Sequence, residues 1–200
     1  YEILIGLVGS EMCIRDSSVS LGEYIEQSDK RAGNNFSVKD VVGISTDKKF
    51  IATKANMSDV SINSYRVVAP LEFAYVADTS RRGDKIALAL NTSQESVLIS
   101  SIYTVFKSKD SSILLPEFIF LFLIRNEFDR YSRFNSWGSA RETFDWSELC
   151  RVQLPLPSIE VQQAIVDVYQ CAERAKKIAA EARERLKNLC PALVQRAAHS

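Results

Sequence analysis

Residues 134–146 read Phe-Asn-Ser-Trp-Gly-Ser-Ala-Arg-Glu-Thr-Phe-Asp-Trp, an arginine-bearing polar turn held between two tryptophans. Asn135, Ser136, Ser139 and Arg141 are side-chain types that hydrogen-bond phosphates and base edges when a loop presents them. A second cationic group is the pair Arg81 and Arg82 in "TSRRGDK" (79–85), where Gly83 suits a tight exposed connection. Lys48, Lys49 and Lys54 add loop-borne charge. Each of these has a plainer alternative. Scattered lysines and arginines usually form a solvated surface. In the turn, Trp137 and Trp146 would pin the chain to a core, Gly138 would supply a positive φ, and Arg141 would pair with Asp145 or Glu142.

Catalytic chemistry finds little to work with. The one histidine, His199, lies next to the C-terminus, which almost excludes histidine triads and histidine-based metal sites. Cys13, Cys150, Cys171 and Cys190 are scattered without a C-x-x-C pair, arguing against zinc or a disulfide framework and for a reducing cytoplasm. There is no G-x-x-x-x-G-K-[ST] loop for ATP, and no Asn- or Asp-Pro-Pro-aromatic methyltransferase motif. No catalytic residue, metal or cofactor is expected. The charges balance, 25 basic against 25 acidic, so no net field advertises a nucleic-acid or membrane partner, although local patches remain open. "ILLPEFIFLFLI" (113–124) is shorter than the ~20 residues of a membrane span and contains Pro116 and Glu117, which favours a buried helix.

These residues must be positioned by the elements around them. From Val41 to Lys107, "VVGIST", "KFIATKA", "SINSYRVVA", "EFAYVA", "KIALAL" and "VLISSIYTVFK" are rich in β-branched and aromatic residues and bounded by turn formers, which predicts strands. Ile62, Tyr65 and Val67 alternate only partly, so some strands should be covered on both faces. Pro116 suits the first turn of a helix running to about Arg133. An irregular segment, 134–145, then leads to the short extended "CRVQLPL", and Pro155 and Pro157 forbid helix before Ser158, a good N-cap.

Beyond it Ile165, Val168, Ala172, Ala175, Ala179, Ala182, Leu186, Leu189 and Leu193 recur at 3-4 spacing, a heptad seam with charges off it. Small seam residues bury too little to hold a lone helix on a domain, so this helix predicts a helical partner. A terminal helix folded back on its own domain is the alternative. Pro191 is expected to kink or end it. Residues 1–17 look foreign: "LVGSEMCIRDS" resembles translated sequencing-adapter read-through, with an ordinary N-terminal strand as the alternative.

In order, the β-rich segment, the aromatic helix, "WGSARETFDWSEL", "LPLPSIEVQQAIVDV" and the heptad helix resemble one target-recognition domain and its following helix in the specificity subunit of type I restriction-modification enzymes. "RRGDKIALAL" and "VLISSIYTVFK" also look like that family's central strands, and "LPLPSIEVQQAIV" is the most specific piece. The resemblance implies an α+β fold: a β-rich DNA target-recognition domain with packed helices over 18–157, followed by a long coiled-coil helix over 158–200. It further implies a non-catalytic module reading one half of a bipartite double-stranded DNA target for partner methyltransferase and restriction subunits. Arg81, Arg82, Asn135, Ser136, Ser139, Arg141, Lys48, Lys49 and Lys54 are the candidate DNA contacts. Ile165 to Leu189 would pair with a second specificity half or another copy. One recognition domain and one helix are present where a full subunit has two of each, so the chain is either a half-subunit that dimerises or a fragment, and the adapter-like start favours a fragment. A protein-interaction adaptor working through the heptad helix without DNA recognition is the competing reading.

Overall fold

The computed structural model describes residues 18–33, 36–53, 61–79, 85–138 and 142–198, with side chains of the last helix as far as 187. Residues 1–17, expected to be foreign, lie outside the described residues.

Among the described residues ten short strands are formed: β1 (Ser18–Ser20), β2 (Ile25–Gln27), β3 (Val42–Ile44), β4 (Phe50–Ala52), β5 (Arg66–Val68), β6 (Phe73–Tyr75), β7 (Leu88–Leu90), β8 (Val97–Ile99), β9 (Thr104–Ser108) and β10 (Gln153–Pro155). The helices are α1 (Pro116–Leu123), α2 (Asn126–Phe134), α3 (Trp146–Arg151) and α4 (Ile159–Ala198). The chain is therefore α+β with a long C-terminal helix. It divides into a unit ending at Gln162 and a second made of the rest of α4.

The first unit is built on an antiparallel sheet in the order β2-β9-β6-β7. Every residue of β6 and β7 is buried, so both faces are covered, and apolar side chains need not alternate there. Phe73 sits opposite Phe106 in register and the rings stack at 4.6 Å, with Tyr75 edge-on to Phe106 at 6.0 Å. Such cross-strand aromatic pairs contribute beyond their buried area. "VLISSIYTVFK" folds as two strands and not one. A turn at 100–103 separates β8, which pairs β5, from β9, which joins the main sheet.

The run from Pro116 to Arg133 also breaks, into α1 and α2. Arg125 takes an extended conformation (φ −70°, ψ 150°) as the cap residue of α2. Its guanidinium lies 3.8 Å over the Phe122 ring and its Nε donates to the Phe122 carbonyl, satisfying an end group of α1. An arginine that stacks on one helix while starting the next explains a break that the apolar periodicity concealed.

The first and last strands of this unit meet. β1 pairs antiparallel with β10, Ser18 opposite Pro155, and Gln153 Nε2 donates to Ser20 Oγ at 2.8 Å. Beside them Gly22 passes so close to α3 that a Cβ there would stand 2.6 Å from the Cys150 Cβ. Only glycine fits. Half-burial pushes the Cys150 thiol up, away from reactive thiolate.

Ser158 precedes α4 as its spacing predicts. Its carbonyl accepts from Gln162 N at 3.0 Å, and its side chain bonds Glu160, holding that carboxyl below its usual range. α4 continues past Pro191 to Ala198, so of the two outcomes expected at Pro191, a kink or an end, the helix does not end there. A proline removes a single N–H bond, and forty residues of otherwise good helix formers carry the helix through. No described helix is long and apolar enough to cross a membrane.

Candidate nucleic-acid interface

The turn between the tryptophans is anchored more firmly than a polar loop needs to be. Asn135 closes α2: its backbone N–H and its side-chain Nδ2 both donate to the Tyr131 carbonyl, at 3.0 and 2.9 Å. Ser136 Oγ donates to the Ser132 carbonyl at 2.6 Å and accepts from Thr79 Oγ1 at 3.1 Å. Trp137 then exchanges two backbone hydrogen bonds with Thr143, and Gly138 (φ 143°) turns the chain where a side chain would be strained. Arg133 bridges Glu142 at 2.5 Å, and Asp145 caps α3 by accepting from Glu148 N, which with Ser147 draws its carboxyl below its ordinary range. Arg141, whose expected alternative was pairing with Asp145 or Glu142, lies outside the described residues.

Two candidate segments leave from one place. Residues 77–79 lie antiparallel to 142–144: Phe144 N donates to Ala77 O at 2.8 Å, and Thr79 N to Glu142 O at 3.1 Å. Thr79 is the last described residue before 80–84, and Glu142 the first after 139–141. On its far side, 80–84 rejoins described chain at Lys85, where Ile86 N donates to Asp129 Oδ1 at 3.3 Å.

Asp129 is the hub behind this arrangement. Lys48 was expected as a loop-borne cation free to meet a ligand, and the structure corrects that. It is 5% exposed, its Nζ lies 2.8 Å from Asp129 Oδ1 and donates to the Leu123 carbonyl at 2.8 Å, and it sits 5.7 Å over the Phe128 ring. The Lys48 backbone has φ 57° at the tip of the β3–β4 hairpin. Burial pushes its ammonium pKa down despite the Asp129 partner. Lys48 therefore joins the hairpin to the α1–α2 corner, and none of its donors faces solvent chemistry. Lys49, next to it, is exposed.

Of the remaining candidates, Asn135 and Ser136 are half-buried and their hydrogen bonds serve the turn itself. Lys54, Arg81, Arg82, Ser139 and Arg141 lie outside the described residues. Among the tryptophans, Trp146 does pack on the β core, 5.7 Å from Phe106, whereas the Trp137 side chain is 66% exposed and its backbone bonds to Thr143 are what tie it into the turn.

Sequence reasoning missed Gln162. It is fully buried, with Oε1 accepting from Leu115 N at 2.9 Å and Nε2 donating to the carbonyls of Ile113 and Pro157, both at 2.9 Å. It ties the start of α1 to the junction before α4. The signal was available: a glutamine between Val161 and Ile165-Val166, on the stripe that should be apolar.

Along the described part of α4, Val168, Ala172, Ala175, Ala179, Ala182 and Leu186 are exposed and Ile165 is half-buried, while the Leu189 side chain lies outside the described range. Ile178 beside the seam is exposed as well. Glu173–Lys176 at 2.7 Å and Glu184–Lys187 at 3.5 Å brace the helix off the seam.

With this geometry in hand, the family model described as "Type I restriction modification DNA specificity domain" matches residues 33–188. The chain belongs to the type I restriction-modification DNA specificity domain family. The matched range takes in the β3–β4 hairpin, the anchored turn and most of α4. A solved structure described as the basis of complex assembly and conformational transition of the type I R-M system aligns with TM-score 0.50 and 17% identity. It covers 94% of this chain and 47% of that one. The HsdS subunit from Thermoanaerobacter tengcongensis aligns at 16% identity and TM-score 0.45, covering 84% and 40% of the two chains. The type I S subunit from M. genitalium aligns at 11% and 0.49, covering 82% and 41%. The chain spans about half the length of the structures it matches. No curated protein matches it.

Proposed function

We propose that this chain is a DNA target-recognition module of a type I restriction-modification system, reading one half of a bipartite duplex target. The observation that carries the reading is the hydrogen bond from Thr79 N to Glu142 O, which roots two arginine-bearing segments in one ladder of a DNA specificity domain. Thr79 and Glu142 directly flank the two arginine-bearing segments in the chain, so this ladder fixes where both begin. The Asp129 hub and the Ser136–Thr79 bond give both segments a rigid base, as direct readout requires. Arginines so placed would track phosphates or fork onto guanine edges.

In this reading the chain carries no chemistry of its own and works in the cytoplasm, where the DNA and its partners are. α4 would pair antiparallel with a second such helix, from another copy or a second specificity half. That coiled coil would set the spacing between two recognition domains and dock the methyltransferase subunits, with the restriction subunit joining the complex.

The test is DNA binding by the complex reconstituted with its methyltransferase subunit, measured by fluorescence anisotropy across a salt series. Arg141→Ala and the double change Arg81→Ala with Arg82→Ala should each weaken binding with circular dichroism unchanged. A lost phosphate contact lowers the salt slope by about one and weakens all sequences alike, whereas a lost base contact costs ~1–3 kcal/mol at one position. The paired arginines are expected to act in the first way and Arg141 in the second. Wild-type affinity in both variants would move the assignment to an adaptor acting through α4.

A further inference from the structure

The turn at the proposed interface is built inside out relative to its sequence. Among its described residues, Asn135 and Ser136 turn their polar groups back onto the last turn of α2 and Thr79. Its aromatic side chains do not follow them: Phe134 is 81% exposed and Trp137 is 66% exposed. The fold buries other aromatics in the same neighbourhood. Phe144 is fully buried, edge-on to Phe128 at 5.9 Å and to Tyr131 at 6.2 Å. The exposure of Phe134 and Trp137 is therefore local and specific, and single exposed apolar residues would need no such explanation.

Nor are these rings on a loose end. Phe134 ends α2, and Trp137 has both backbone groups bonded to Thr143, at 3.1 and 3.0 Å. A rigid backbone under a large flat side chain has already lost the freedom that binding would otherwise cost. Thr143 bridges Asp78 on its other side, so Trp137 shares the ladder from which the double-arginine segment departs.

We infer that Phe134 and Trp137 make apolar contact with the bases of the bound duplex, so that the turn itself contributes to sequence specificity. The inference rests on the DNA-recognition reading above. With Asn135 and Ser136 bonded back into the protein, the described side chains that this turn leaves open to a duplex are aromatic. Against base pairs, such rings meet the thymine methyl or wedge at a flexible step, and both contacts discriminate between sequences without a hydrogen bond.

The experiment is selection from a random-sequence duplex pool by the full chain assembled with its methyltransferase subunit, comparing wild type, Phe134→Ser, Trp137→Ala and Trp137→Phe. Wild type should enrich a defined motif. Phe134→Ser and Trp137→Ala should lose preference at one or two adjacent positions of it. Affinity for the selected duplex should drop roughly ten-fold, with the salt slope kept because no phosphate contact is lost. Trp137→Phe should retain the motif, which a purely structural role for an exposed ring would not require. If Phe134→Ser and Trp137→Ala enrich the wild-type motif with unchanged affinity, the aromatic contact is wrong and the recognition reading stands. If wild type enriches no sequence, the recognition reading fails and takes this inference with it.

Discussion

At the residue scale, Lys48 shows how far side-chain type alone can mislead. In "TDKKF" two adjacent lysines look equally solvated, and the structure separates them completely. One lies against Asp129 and the Leu123 carbonyl, 75 positions away, and no local pattern reports a partner at that distance. Removing one member of a buried pair leaves the other desolvated and uncompensated, which is strongly destabilising. Lys48→Ala should thus lower stability by roughly 3 kcal/mol or more, read by chemical denaturation, whereas Lys49→Ala should change it by less than about 0.5 kcal/mol. Equal effects of the two would remove Lys48 from its structural role. Gln162 is the opposite case. Two of its three hydrogen bonds are long-range, yet a glutamine on an apolar stripe was a visible anomaly in "EVQQAIV".

At the element scale, strands and caps were legible where local chemistry decides them. Pro116 at the start of α1 and Ser158 ahead of α4 stand where their backbone preferences put them. What the sequence concealed were the breaks. The corner at Arg125 depends on a guanidinium stacking on Phe122, and the split of β8 from β9 depends on two different sheets competing for one apolar run. The seam of α4 is the element with most left to do, since its alanines and Val168, Leu186 and Ile178 are exposed. If that seam pairs with another helix, Ala175→Glu with Ala179→Glu should abolish self-association and methyltransferase-subunit binding, because charges would be buried without partners. Glutamate is a good helix former, so helicity should not fall. Sedimentation velocity and a pull-down of the methyltransferase subunit read the result, and unchanged assembly would contradict pairing through this face.

At the scale of the whole molecule, the order of parts carried the family resemblance, because "LPLPSIEVQQAIV" and the heptad that follows are set by proline, capping and periodicity, all local. The candidate DNA contacts were less legible. Where the two arginine-bearing segments begin is set by the ladder between 77–79 and 142–144, a pairing between segments some 65 positions apart in the chain. In the turn beside it, the Ser136 hydroxyl is bonded to Ser132 and Thr79 while the Trp137 ring is exposed.

The proposed role of residues 18–157 is to read a DNA half-site. It is tested most directly by grafting them in place of one recognition domain of a complete type I specificity subunit, assembling the chimera with its methyltransferase subunits, and mapping the methylated positions on genomic DNA. The account predicts that one half of the bipartite methylated sequence changes while the other half stays as before. An assembled chimera that still methylates the original two halves, or modifies no defined sequence, would contradict it.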